Sequence, residues 1–281
     1  MVKIDGHTHT ELCPHGSHES TRKMVERAIQ LGFDEYWMTE HAPMPAGFAS
    51  VFGGPLDDYE SEGLADSQVD DYLKLATDLQ AEYQHDIQIK IGFEIDYLHD
   101  FTDSITNFLA EYGPYTQHNI LSVHYLQDDD GTYWGIDYDP DELKTGFGQE
   151  LHAPQRLYSR YFKTVLESAQ TDLGRWQPDK MGHISLIKKY QDYFKFPELF
   201  DQTNLALIQK ILRVMAKRHL SLDVNSAGLY KKFCNDFYPG TQIFTMAKQI
   251  DIPMVFGSDA HAIDEVGRGY HLNELFKRVD N

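Results

Sequence analysis

The sequence predicts an α/β fold, a (β/α) barrel, on three observations. Seven short apolar strand patterns alternate with helical patterns along the chain. Side chains able to bind metal fall at the C-terminal ends of those strands, the rim where barrel proteins carry their sites. The 281 residues suffice for one such barrel. An open doubly wound sheet is the rival, but it would string the same residues along an edge, where far fewer converge.

The first strand, 3–9, closes on His7-Thr8-His9. Residues i and i+2 of a strand share a face, so two imidazoles project to one side. A helix over 20–31, with Ser20 as N-cap, leads to a strand over 35–41 that ends on His41. Residues 43–66 are rich in glycine, proline and acids and read as a long loop. A helix over 67–84 precedes the strand 87–97, which carries Glu94 near its end. The next pair is a helix over 101–112 and a strand over 119–125 bearing His124. A second long connection, 127–153, holds Asp128-Asp129-Asp130-Gly131 and Gly146-Phe147-Gly148. Loops of this length are usually lids or binding loops. Then follow a helix over 154–172 and a strand over 180–184 with His183. A helix over 203–219, capped by Thr203, leads to the strand 221–225, which ends on Asn225. The helix 241–249 and the strand 254–258 bring Asp259 and His261, and a last helix covers 264–279. No repeat or interdomain linker interrupts the order, so 1–281 reads as a single domain.

A hydrophobic share of 41% and an aromatic share of 13% indicate a globular chain with a sizeable core. No apolar run reaches spanning length and no signal peptide is evident, so the expected location is the cytoplasm. The two cysteines, Cys13 and Cys234, read as free thiols in a reducing compartment. The net charge of −19 disfavours nucleic acid and anionic membranes as partners. It would also repel an anionic substrate unless bound cations reverse the sign locally.

A lone histidine at a strand end is ordinarily a satisfied polar residue, and His85, His99, His118, His152, His219 and His271 read that way. Six strand-end histidines with two carboxylates are a different case. Uncompensated, they would crowd polar and charged groups together at a high desolvation cost, which metal ions remove. Imidazole with carboxylate suits Zn, Mn or Fe, and so many histidines argue against all-oxygen Mg or Ca sites. The ligands outnumber what one ion needs, so two to three divalent transition metals are expected. Cys13, close to His15, is a weaker candidate for contact with the site.

Asp5-Gly6-His7-Thr8-His9, Thr39-Glu40-His41, Gly92-Phe93-Glu94-Ile95-Asp96-Tyr97, Ser122-Val123-His124, Gly182-His183 and Gly257-Ser258-Asp259-Ala260-His261 stand in this order. Together they resemble the polymerase-and-histidinol-phosphatase (PHP) family over nearly the whole chain. The third motif and Asp223-Val224-Asn225-Ser226-Ala227-Gly228-Leu229 are similar to its monofunctional histidinol-phosphate phosphatases. The resemblance implies a distorted (β/α)7 TIM-like barrel with a trinuclear metal centre. It assigns His7, His9, Glu94 and Asp259 to the first metal. Glu94 would bridge to a second metal held by His124 and His183, and the third would take His15, His41 and His261.

The implied reaction is hydrolysis of L-histidinol phosphate to L-histidinol and phosphate, a step of histidine biosynthesis, by a metal-bridging hydroxide. Glu94 would fix the metal spacing, and Asp259 or a metal-bound water would supply or relay protons. Arg160 is the candidate for a bidentate phosphate contact, the alternative being an exposed helix arginine. Lys231 is a second, weaker phosphate candidate. Asp96, on the face of Glu94, is placed for the substrate amine, and Asn225 for the substrate or a ligand. The acidic runs 57–62 and 128–130 read as solvated loops or as a field favouring a cationic ligand.

Three other readings share parts of the pattern. A phosphoesterase of the same family acting on a nucleotide, sugar phosphate or phosphopeptide would share every metal residue. A non-catalytic metal-bound module would keep the ligands without turnover. A barrel amidohydrolase also begins with His-X-His, but it commonly relies on a carboxylated lysine or one Asp and lacks this many histidines. The oligomeric state is open.

Overall fold

Period-2 strands between amphipathic helices build a parallel sheet in the computed structural model, which describes residues 2–271. In chain order the strands are β1 (Ile4–Thr8), β2 (Glu35–His41), β3 (Gln88–Asp96), β4 (Ile120–Ser122), β5 (Tyr125–Gln127), β6 (Tyr133–Gly135), β7 (Lys180–Met181), β8 (Ser221–Asn225) and β9 (Met254–Gly257). The main sheet runs β1-β2-β3-β4-β7-β8-β9, with every neighbouring pair parallel. Its two edges meet where Thr8 bridges Ala260, with His9 N donating to Ala260 O at 2.9 Å. Asp259 N donates to His7 O at 2.8 Å beside it. The sheet thus nearly closes into a distorted seven-stranded barrel, and its seam is tied at the C-terminal end, beside the candidate ligands.

Glycines permit two of the close approaches. A Cβ on Gly6 would lie 2.4 Å from Val255 Cγ1 of β9, so a larger residue would push the seam open. A Cβ on Gly92 would lie 1.6 Å from the His118 carbonyl oxygen, at the entry to β4. That contact helps hold β3, and with it Glu94, against its neighbour.

Helices cover the outside and bury one stripe each. Pro154–Gln170 turns Leu157, Tyr158, Tyr161, Phe162, Val165, Ser168 and Ala169 inward, at helical spacing. It packs on Gln202–Arg218, and Ser159 Oγ donates to Asn204 Oδ1 at 2.8 Å between them. Inside the barrel, Lys180 is fully buried, bonded to the Gly6 carbonyl, with its Nζ 4.7 Å from the centre of the Trp37 ring.

Several elements depart from the sequence expectations. The strand expected over 119–125 is split: β4 belongs to the barrel, while β5 pairs with β6 in a separate antiparallel hairpin. Apolar periodicity continues across the break, and sequence pattern alone does not register it. The two long loops hold structure of their own. Residues 43–66 contain the helix Leu56–Ser61, and 127–153 contain β6 and the helix Pro140–Phe147. The latter is capped by Asp139, whose side chain accepts from Asp141 N. Ser20 makes no side-chain cap bond, and the helix expected to start at Thr203 is capped by Asp201, which accepts from Asn204 N at 2.8 Å. Of the helix expected over 264–279, the part beyond 271 lies outside the described residues. Among the described residues, no helix is long and apolar enough to cross a membrane.

Candidate metal centre

The strand ends converge on Glu94, near the end of β3. Its Oε2 lies 3.0 Å from His7 Nε2, 3.4 Å from His41 Nδ1 and 3.5 Å from His9 Nε2. Its Oε1 accepts from Ser122 Oγ at 2.5 Å and lies 2.9 Å from His183 Nε2 and 3.6 Å from His124 Nε2. Asp259 follows β9 in the left-handed region, at φ +56°, which is tolerated more by Asp than by most residues. That turn brings its Oδ1 to 3.1 Å from His9 Nε2. Local backbone strain held by surrounding structure is common at functional sites.

The outward-facing nitrogens are held by a second layer of acceptors. His7 Nδ1 donates to Asp223 Oδ2 at 2.8 Å, His9 Nδ1 to Glu40 Oε1 at 3.2 Å and His124 Nδ1 to Asp96 Oδ1 at 2.7 Å. His15 Nδ1 donates to Ser61 O at 2.8 Å and His261 Nδ1 to Asp259 O at 3.0 Å. These partners place a proton on Nδ1 in all five rings and turn each Nε2 toward the cluster, the arrangement of metal-binding histidines. The Nε2 atoms of His15 and His261 then face each other at 3.1 Å. His41 Nδ1, buried beside Glu94, has no hydrogen-bond partner. Facing lone pairs and an orphaned ring nitrogen are what a cation would resolve, so the donor set fits bound metal.

Three groups bring ligand atoms within 4.8 Å of one another: His7 with Glu94 and His183, His7 with His9 and Asp259, and His9 with Cys13, His41 and His261. Cys13 therefore does approach the cluster. Burial and the nearby Glu40 carboxylate push its thiol up, away from the thiolate a metal requires.

Charge follows the same division. Burial raises Glu94, but the imidazoles of His7 and His41 outweigh it and hold the carboxyl well below the usual range. Asp259 is held low against burial by His7 and His9. Burial alone would deprotonate His7, His9 and His124. Glu94 and Asp223 pull His7 up, Asp96 pulls His124 up, and bonds to Asp259 and Glu40 raise His9 to about 9. His15, His41 and His261 are lowered by burial and favour the neutral, ligating form.

The cluster opens into a cavity of about 380 Å³, whose wall includes Glu62, Asp137, Tyr138, Lys189, Lys231 and Tyr238. All nine candidate ligands meet here or directly beneath. The other expected site residues divide. Lys231 lines the cavity. Asn225 donates to Asp223 Oδ2 and Asp259 Oδ2, each at 3.2 Å, and so orients ligands. Asp96 is engaged by His124 rather than presented to a substrate amine. Arg160 is not brought to this cavity. It faces a different, larger cleft, where it donates to Asp129 Oδ1 at 2.6 Å, Glu150 Oε1 at 2.8 Å and the Gln127 carbonyl. Glu40 and Asp223, the carboxylates behind His9 and His7, were not singled out from sequence. Strand alternation points to Asp223, which shares a face with Asn225.

Comparison with known proteins agrees with this picture. A family model described as PHP domain matches residues 5–227, and one described as PHP-associated matches 241–275. The chain is 36% identical over 270 residues to the histidinol-phosphatase of Bacillus subtilis, covering 96% of this chain and 97% of that one. The crystal structure of hisK from Listeria monocytogenes superposes with a TM-score of 0.93 at 38% identity, over 96% of this chain and 99% of that one. The histidinol phosphate phosphatase of Lactococcus lactis, solved with zinc, L-histidinol and phosphate, shares the fold. Its TM-score is 0.71 at 21% identity, over 99% of this chain and 94% of that one.

Proposed function

This chain belongs to the PHP family, and on that premise we propose that it is a metal-dependent phosphomonoesterase acting on L-histidinol phosphate in the cytoplasm. The products are L-histidinol and phosphate, and the reaction serves histidine biosynthesis. The observation that carries the proposal is the Glu94-centred set of imidazoles opening into a cavity that also offers lysines. The B. subtilis relative, named for this activity, supports the choice of ester.

His7, His9, Glu94 and Asp259 would hold one divalent ion, Glu94, His124 and His183 a second, and His15, His41 and His261 a third. When bound, such ions supply positive charge for phosphoryl oxygens and Lewis-acid activation of water. The chain's own groups prepare that chemistry. Glu94 presents one oxygen to the His7 side and the other to the His183 side, which suits a bridging carboxylate. Ser122 fixes its orientation. Asp259 is kept ionised, the state in which it ligates a cation or accepts a proton, and Asn225 holds its second oxygen. Lys189 and Lys231 add cationic charge to the wall for an anionic ester, Lys189 while paired with Asp137 at 2.9 Å.

Turnover of histidinol phosphate beside a nucleotide, a sugar phosphate and a phosphopeptide tests the proposal. The expected result is a clear preference for histidinol phosphate in kcat/KM. A stronger preference for another ester would keep the phosphatase and discard the substrate.

A further inference from the structure

An ester site gains from positive charge, yet this cavity keeps acidic side chains beyond those that face the metals. Most are committed. Asp96 holds His124, and Asp137 holds Lys189. Glu265 accepts from His261 N at 2.9 Å and pairs with Arg268 at 3.0 Å. Among the described residues, no lysine, arginine or histidine pairs with Glu62.

Glu62 is nevertheless fixed in place. The carbonyl before it, Ser61 O, accepts from His15 Nδ1 at 2.8 Å. Two residues after it, Leu64 N donates to His41 O at 3.2 Å. The segment is thus fastened at both sides of Glu62 to candidate ligands. Between those anchors a Cβ on Gly63 would lie 2.4 Å from the Ala42 carbonyl oxygen, so the backbone is tightly seated. The side chain lines the cavity near Asp137 and the Tyr125 hydroxyl. Burial and Asp137 push its acid up to about 8, and an adjacent ammonium would favour loss of that proton and hold the carboxylate.

We infer that Glu62 is the specificity-determining residue that recognises a cationic nitrogen on the leaving alcohol, namely the protonated amine. The inference rests on the phosphatase reading and deepens it. With no cation beside it the buried acid stays largely protonated near neutral pH and contributes little to binding the ester. Facing an ammonium, it makes a charge-assisted hydrogen bond and orients the ester. Esters without that amine forgo this bond and are disfavoured.

The test compares L-histidinol phosphate with imidazolylpropyl phosphate, the same ester without its amine, on metal-loaded wild type, Glu62→Gln and Glu62→Asp. The expected ratio of kcat/KM between the two esters falls roughly tenfold or more in Glu62→Gln, mainly through KM for histidinol phosphate. Glu62→Asp, which keeps the charge, retains more of the ratio, and bound metal per chain is unchanged in both variants. A merely structural role would lower both esters together and leave the ratio intact, which would overturn the inference while the phosphatase reading stands. If the metal-loaded wild type turns over neither ester, the phosphatase reading falls and the role of Glu62 falls with it.

Discussion

His15 and His261 point their Nε2 atoms at each other across 3.1 Å, while each keeps its Nδ1 on a backbone carbonyl. Two neutral imidazoles so protonated place lone pair against lone pair, which a shared cation turns into an attraction. Replacing His15 or His261 by Ala is expected to remove about one metal equivalent per chain while leaving the fold intact. Elemental analysis of the purified variants, with circular dichroism as the control, checks this. Unchanged metal content would mean that the pair does not ligate.

Asp223 acts through His7, whose Nδ1 it accepts at 2.8 Å, both side chains being fully buried. Asp223→Asn keeps the shape but weakens the orientation of the ring. The expected loss is roughly ten- to hundredfold in metal affinity or kcat, the usual scale for such supporting partners. Titration of the metal-stripped variant against wild type measures it. An effect under twofold would show that β1 positions His7 without help from the carboxylate.

Arg160 gives a contrasting expectation. Its guanidinium is tied to Asp129 and Glu150 in a separate cleft. Arg160→Ala is therefore expected to leave KM for the phosphate ester within about twofold of wild type. It should cost about 1 kcal/mol or less of stability, because the pair is partly exposed to solvent. A large rise in KM would place the guanidinium in the substrate site during turnover.

The pH dependence of stability in the metal-stripped protein follows from Glu62. Its folded pKa of about 8 lies above the ordinary value of 4.5, mainly because of burial and then Asp137. Between those values the folded chain binds more protons than the unfolded chain, so this group lowers stability as pH rises through the window. Glu62→Gln is expected to match wild type near pH 5 and to exceed its Tm near pH 9. Parallel Tm curves across this range would contradict the shift.

Much of this was legible in the sequence. Strand alternation put His7 and His9 on one face, and counting strand ends around a closed sheet brought Glu94, His124, His183, Asp259 and His261 to one rim. The rest depends on distances that sequence spacing does not carry. Arg160 sits on a helix after the long loop, and its direction is set by Glu150 and Asp129, which fold back from that loop. Asp96 alternates onto the face of Glu94 as expected, but His124, just past the end of neighbouring β4, reaches it first. Glu62 lay within an acidic run that resembled a solvated loop. Only the attachment of that loop to His15 and His41 turns it toward the cavity.

The central claim is that the Glu94 cluster holds the metals that make this chain a histidinol-phosphate phosphatase. It is tested by measuring histidinol phosphate turnover and metal per chain on one sample, for wild type and Glu94→Gln, before and after chelation. The account predicts two to three divalent metals in wild type, for which the converging ligand groups offer places. Turnover should be lost on chelation and restored by Zn, Mn or Fe, and Glu94→Gln should lose metal and activity together. Full turnover by the stripped protein, or by Glu94→Gln with unchanged metal, would contradict it.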